Sequence, residues 1–189
     1  MRILITGAGG LIGKKITGYL GNMGYHTIPV GRVPQEGILC ADLRDEATVL
    51  RIVNDQAPDM ILYLAAITNL QLCEQNQEAS RLTNYGITEV LTRICSQSEI
   101  RMIFFSSDYV FGQYDYFWKE GDIPCPTTQY GRDKADSELL IQEKLSDYAI
   151  IRTAQVYGFR GDFVSLVWDA LKSNQEFSAF ENLVNCLDH

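Results

Sequence analysis

The stretch Thr6-Gly7-Ala8-Gly9-Gly10-Leu11-Ile12-Gly13 decides how this chain folds. Before it runs Arg2-Ile3-Leu4-Ile5-Thr6, a short apolar segment. After it Leu11, Ile12, Ile16, Tyr19 and Leu20 recur at helical spacing. The order is strand, glycine turn, helix. The pattern GxGxxG fails in register, because Ile12 stands where its third glycine is required, and GxxGxxG fits at 7, 10 and 13. Gly7 permits a tight exit from the strand, Gly10 the close approach of a ligand phosphate, and Gly13 close packing of the helix. The start of that helix offers unpaired N–H groups and a positive dipole end, which suit a pyrophosphate. A dinucleotide is therefore the expected ligand, and a plain tight turn is the alternative.

The alternation continues outward. Gly21 and Gly24 close the first helix, and His26 to Val30 reads as a second strand. Asp45 is an N-cap for a helix through about Gln56 that Pro58 stops, with Val49, Ile52 and Val53 inward. Met60 to Ala65 is a continuous apolar run, as in a strand covered on both faces. One long helix is expected from about Leu72 to Gln97, then a strand Arg101 to Ser106. An irregular loop should occupy 107 to 127, a helix Thr128 to Leu145, a strand Tyr148 to Thr153, and a helix Asp162 to Leu171. Strands alternating with helices at this rhythm predict an α/β fold, a doubly wound parallel sheet of Rossmann type. A structureless loop of 107–127 length inside such a domain points to a binding loop or lid.

Composition narrows the class. The chain has 189 residues, 46% of them hydrophobic and 21% charged, enough to build a core. A net charge of −8 disfavours a non-specific nucleic-acid binder, which needs a basic surface, but leaves room for a local anion pocket. No apolar run of about 18 residues is present, and the opening Met1-Arg2-Ile3-Leu4 lacks a signal-peptide pattern, so no membrane partner and a cytoplasmic location are expected. Cys40, Cys73, Cys95, Cys125 and Cys186 show no CxxC pair, which argues against a disulfide framework or a zinc site; no metal is expected.

Two further places carry chemistry. Gly31-Arg32 ends the second strand, where an acid commonly meets a free ribose 2′-hydroxyl; an arginine there suits a 2′-phosphate instead, favouring NADP(H) with NAD(H) still open. A solvated loop arginine is the alternative. Asp42 could sit at the adenine edge, and Leu64-Ala65-Ala66 could pass beneath a cofactor or simply pack. Tyr130 and Lys134 lie one helical turn apart on one face, so the lysine's charge could favour the tyrosine phenolate. Ser106 and Ser107 close the strand before them, at the end of the sheet where doubly wound folds bind ligands.

Together, Thr6–Gly13, Ala41-Asp42-Leu43, Leu64-Ala65-Ala66, Ser106-Ser107-Asp108-Tyr109-Val110-Phe111-Gly112, Tyr130-Gly131-Arg132-Asp133-Lys134 and Ile151–Gly158 resemble the extended short-chain dehydrogenases/reductases, most nearly the dTDP-4-dehydrorhamnose reductase branch. The resemblance implies a catalytic triad of Ser107, Tyr130 and Lys134, with Lys134 also on the nicotinamide ribose. It implies that Gly7, Gly10, Leu11, Ile12 and Gly13 wrap the pyrophosphate and that Asp42, Leu43, Ala65 and Ala66 line the adenosine side. Asn84 and Asp108 match residues near the substrate, although Asn84 could cap or kink its helix and Asp108 could cap a turn. The implied activity is NAD(P)H-dependent reduction of a nucleotide-sugar 4-ketone. Alternatives within the resemblance are a non-catalytic NADP-binding regulatory subunit, similar to that of methionine adenosyltransferase, and a nucleotide-sugar epimerase or dehydratase. A homodimer through helices flanking the sheet is typical of the family; the helix from Leu72 has an apolar face, which a core position explains equally.

Two departures stand out. Gly112-Gln113 replaces the usual Asp-Gly after the aromatic. Family members also continue into a C-terminal lobe over the nucleotide-sugar. The expectation is therefore a dinucleotide-binding domain over 1–158, with 159–189 starting a substrate-binding segment whose lobe is largely absent.

Overall fold

Strands that are apolar at every position must be covered on both faces, and the arrangement follows from that requirement. The computed structural model describes residues 1–112, 117–158 and 162–176. In chain order these form β1 (Arg2–Thr6), α1 (Leu11–Asn22), β2 (His26–Gly31), β3 (Leu39–Cys40), α2 (Glu46–Gln56), β4 (Met60–Tyr63), α3 (Leu70–Gln75), α4 (Gln77–Asn84), α5 (Gly86–Ser98), β5 (Arg101–Ser107), a 3-10 turn (Asp108–Val110), α6 (Gln129–Lys144), β6 (Tyr148–Thr153) and α7 (Phe163–Ser173). The strands make one parallel sheet in the order β3-β2-β1-β4-β5-β6. This is the doubly wound Rossmann-like fold expected. Strand order reverses between β1 and β4, which opens a crevice beyond their carboxyl ends.

Each face of the sheet carries its own core. Leu4, Ile28, Val30, Ile61, Tyr63, Met102 and Phe104 pack against α2, α5 and α6 on one side. Ile3, Ile5, Leu62, Ile103 and Phe105 pack against Ile16 and Leu20 of α1 on the other. Among the described residues, no helix is long and apolar enough to cross a membrane. Cys40, Cys73, Cys95 and Cys125 are free thiols; Cys186 lies outside the described residues.

Three expectations need correction. The long helix predicted from Leu72 to Gln97 is three helices. Asn76 leaves helical geometry at φ −137°, and its side chain caps α4 by accepting from Ala79 N; a second break falls at Asn84-Tyr85. Apolar periodicity survives such breaks, so the pattern alone could not show them. The strand expected over Met60–Ala65 stops at Tyr63, because the N–H groups of Leu64 and Ala65 donate instead to Thr6 Oγ1 at 3.0 and 3.2 Å. The two-residue β3 was not anticipated; it is exposed and too short for a periodicity. The 107–127 loop holds the 3-10 turn at its start, and its residues 113–116 lie outside the described residues, as do 159–161 and 177–189 of the expected C-terminal segment.

The glycine turn is held by steric necessity. Gly7 has φ +66°, and a Cβ on it would lie 2.9 Å from Ala65 N. A Cβ on Gly13 would lie 2.3 Å from Gly7 O and 2.7 Å from Ala8 Cα, both rigid backbone. Gly13→Ala should therefore cost about 2 kcal/mol or more in urea denaturation. Gly18 in the same helix has nothing within 4 Å of its Cβ position. Gly18→Ala should gain about 0.5–1 kcal/mol from helix propensity. Equal effects at the two positions would contradict this account of the turn.

Candidate functional site

A helix that packs on a sheet normally buries apolar side chains, but α6 buries Gln129, Tyr130, Asp133, Lys134, Ser137 and Glu138. Each then needs a partner. Thr128 caps the helix by accepting from Gly131 N at 3.0 Å, and Glu74 Oε1 accepts from Gln129 N at 2.6 Å. The carboxylate of Asp133 accepts from Ser80 Oγ at 2.7 Å and from Gln129 Nε2 at 2.8 Å. The Ser137 hydroxyl lies 2.9 Å from that of Thr88, which in turn lies 3.1 Å from the Tyr63 hydroxyl. Glu138 forms a bidentate ion pair with Arg152, with Nη2–Oε2 at 2.7 Å. Arg152 also donates to Glu120 O at 3.0 Å and lies 4.8 Å from the Phe111 ring, which stacks on Trp118.

Ser107, Tyr130 and Lys134 are brought together. Ser107 ends β5, and its hydroxyl lies against the Tyr130 phenol while donating to Asp108 Oδ1 at 2.9 Å. Lys134 Nζ donates to Phe105 O at 2.6 Å and sits 4.1 Å from the Phe104 ring centroid. Burial pushes the Tyr130 phenol up to about 12, against the opposing hydrogen bond of Ser107. Burial likewise pulls Lys134 down to about 7, with Glu138 opposing. The Asp108 carboxyl is raised by burial, partly offset by Ser107 and backbone donors. Lys134 directs its proton to a backbone carbonyl, and desolvation disfavours both ions. A neutral phenol beside a serine hydroxyl is a proton donor, and an amine titrating near neutrality can resupply it.

The glycine turn supplies a second half-site. Gly10 N-caps α1 without a side-chain cap, no acidic residue stands in the first turn, and the first helical bond is Lys14 N to Gly10 O. The cradle fits a pyrophosphate: Gly7 and Gly13 let backbone approach where any Cβ would collide, and the helix's leading amides have no helical acceptor. Leu11 is exposed, and Ile12, Ala65 and Ala66 are half-buried; Leu43 is buried within the core instead of open to a ligand. Arg32 is exposed just past β2. Asp42 is clamped by Arg44, which holds its carboxyl down at about 2.

Asn84 is spent internally. Its amide accepts from Ile67 N at 2.8 Å and donates to Ile67 O at 3.1 Å, pinning the segment after β4 at the kink between α4 and α5. Sequence reading did not assign Thr6, Glu74, Gly131, Glu138, Arg152 or Arg44. Gly131 carried a signal, since glycine inside a helix costs about 1 kcal/mol without a reason. The reason is the 3-10 turn: a Cβ there would lie 2.1 Å from Tyr109 O.

Comparison with known proteins gives a family-model match, "RmlD substrate binding domain", over residues 1–186. A probable low-salt glycan biosynthesis reductase of Haloferax volcanii is 33% identical over 88% of this chain and 57% of its own. The methionine adenosyltransferase 2 subunit beta of Xenopus laevis is 30% identical over all of this chain and 56% of its own. The dTDP-4-dehydrorhamnose reductase of Bacillus anthracis, solved with NADP, superposes with a TM-score of 0.83 at 25% identity, over 93% of this chain and 61% of that one. The chain thus spans well under two thirds of the length of these relatives.

A lysine buried among these groups must mark the stability curve. Between pH 7 and its ordinary value of 10.5, the unfolded chain holds a proton on Lys134 that the folded chain has released. Stability rises with pH wherever the unfolded state binds more protons, so the cost of burying Lys134 is full below about pH 7 and fades above it. The stability of Lys134→Met relative to the wild type should therefore fall as pH rises from about 6 to about 9, read by urea denaturation. A difference that does not change with pH would contradict the burial of the ammonium.

Proposed function

This chain belongs to the RmlD substrate-binding domain family, and on that footing we propose that it forms the NADP(H)-binding and proton-donating part of a reductase acting on a nucleotide-sugar 4-ketone of the dTDP-4-dehydrorhamnose type. The observation that carries this reading is the buried phenol of Tyr130 against the Ser107 hydroxyl, at the carboxyl end of β5, with Lys134 one turn away. Ligands of doubly wound folds sit at that end of the sheet. The amides at the start of α1 and the Gly7, Gly10 and Gly13 cradle would hold the pyrophosphate, Asp42, Ala65 and Ala66 the adenosine side, and Arg32 a 2′-phosphate. The dinucleotide, when bound, supplies the hydride.

The rest is done by side chains of this chain. Ser107 donates a hydrogen bond to the substrate carbonyl oxygen and so fixes which carbon faces the reductant. As that oxygen gains charge, Tyr130 gives up its proton to it, yielding the alcohol. A phenol raised by burial holds its proton until such a base appears. Lys134, titrating near neutrality, then stabilises the phenolate or returns a proton to it. Without substrate the single Ser107 hydroxyl proton goes to Asp108 Oδ1, so Ser107 turns it from that carboxylate to the substrate oxygen on binding.

A second reading is favoured by one observation: the Xenopus subunit beta aligns with the whole of this chain at 30% identity, so a non-catalytic regulatory subunit shares the same scaffold. Tyr130→Phe separates the two. NADPH oxidation with a dTDP-4-keto-6-deoxy sugar should fall by about 10²-fold or more in the variant, because a general acid contributes on that scale, with NADPH affinity within threefold of wild type. Wild-type protein that binds NADPH but never turns over would overturn the reductase reading and favour the regulatory one.

A further inference from the structure

The rims of β2 and β3 meet beside the glycine turn. Gly31 pairs with Cys40 in register, Ala41 N donates to Gly31 O at 2.9 Å, and Ala8 N donates to Val30 O at 3.1 Å. Cys40 Sγ donates to Arg32 O at 3.4 Å. Arg32 and Asp42 therefore leave adjacent strands side by side, next to the pyrophosphate cradle. The side chains are arranged asymmetrically. Arg44 takes both oxygens of Asp42, with Nη2–Oδ2 at 2.5 Å, Nε–Oδ1 at 2.9 Å and Nε–Oδ2 at 3.1 Å, and its backbone N–H adds a bond to Oδ1 at 3.0 Å. The side chains of both residues remain open to solvent. Arg32 acts on Asp42 only through space, as the weakest of the influences on its carboxyl.

An acid in this position poses an electrostatic problem for a cofactor with a 2′-phosphate. Unpaired, Asp42 would repel the phosphate and would draw the Arg32 guanidinium into an ion pair of its own. With Arg44 on both oxygens, the carboxylate has its counter-charge and Arg32 is not drawn into pairing with it. The outer N–H groups of Arg44, which the bidentate contact leaves over, can also donate outward.

Resting on the reading of this rim as the adenosine end of a dinucleotide site, we propose that Arg44 is a specificity-determining residue that makes the site select NADPH over NADH. It does so by sequestering Asp42, so that Arg32 is left to the 2′-phosphate. The role is electrostatic and depends on Asp42 being charged. Loss of Arg44 hands Asp42 to Arg32 and presents a carboxylate to the ribose, which suits a 2′-hydroxyl and disfavours a 2′-phosphate.

The test is a pair of dissociation constants, for NADPH and for NADH, measured by calorimetry on wild type, Arg44→Met and the double variant Asp42→Asn/Arg44→Met. Arg44→Met should weaken NADPH about tenfold and leave NADH unchanged or tighter, and raising the salt towards about 1 M should shrink the wild-type preference. The double variant should regain a preference for NADPH, since no carboxylate remains to occupy Arg32. Loss of an adenine contact to Asp42 would weaken both cofactors together and leave the ratio as the readout. Equal weakening of both cofactors in Arg44→Met, a wild type without preference, or a double variant no better than Arg44→Met would each overturn the inference. Wild-type protein that binds neither cofactor would instead overturn the dinucleotide reading beneath it.

Discussion

Everything near the candidate site depends on α6 burying a polar face. Ion pairs and hydrogen bonds in such a place are costly to break, because a partner left alone in the interior pays its full desolvation; for a buried charge that is about 3–5 kcal/mol. The consequence is positional. Asp133 fixes α4 through Ser80, Ser137 fixes α5 through Thr88, Lys134 fixes β5 through Phe105 O, and Glu138 fixes β6 and the segment around Glu120 through Arg152. Four neighbouring elements are thereby registered against one helix. Tyr130 is carried on that helix, and Gly131 brings it against the 3-10 turn that follows Ser107.

The two halves of the site are built by opposite means. At β1 and α1 the protein removes side chains, so that backbone can come close and leave its amides to an anion. At β5 and α6 it concentrates side chains and withdraws water from them. The first half provides an electropositive surface independent of the chain's net negative charge. The second lowers the ammonium of Lys134 and raises the phenol of Tyr130 towards forms that exchange protons without carrying charge. Both lie beyond the carboxyl ends of one parallel sheet, which is why a fold assembled from short strands and crossover helices can join them.

Sequence was informative where its periodicities are dictated by the core. The β1 run, the GxxGxxG turn and α1 were legible, as were α2 with its Asp45 cap and the strands β4, β5 and β6. Tyr130 and Lys134 were legible as a pair from their spacing, and Ser106 and Ser107 as residues at a strand's carboxyl end; that Ser107 is the third member came from the family resemblance. The breaks at Asn76 and Asn84-Tyr85 were not, since capping side chains interrupt a helix without changing its apolar spacing. Nor was Leu43, quoted within a binding motif yet packed in the core. The partners of α6 were least legible of all. Ser80, Thr88, Glu138 and Arg152 are polar residues that a hydropathy reading assigns to the surface, and only the fold shows that they face one another.

The account stands most directly on the desolvation of Lys134. Chemical-shift titration of the side-chain Cε carbons in protein labelled with ¹³C-lysine reads each ammonium separately. One resonance should titrate near pH 7 and disappear in Lys134→Met. A Lys134 resonance that titrates at the ordinary value of 10.5 would contradict a buried polar face on α6, and with it the proton-handling role given to Tyr130.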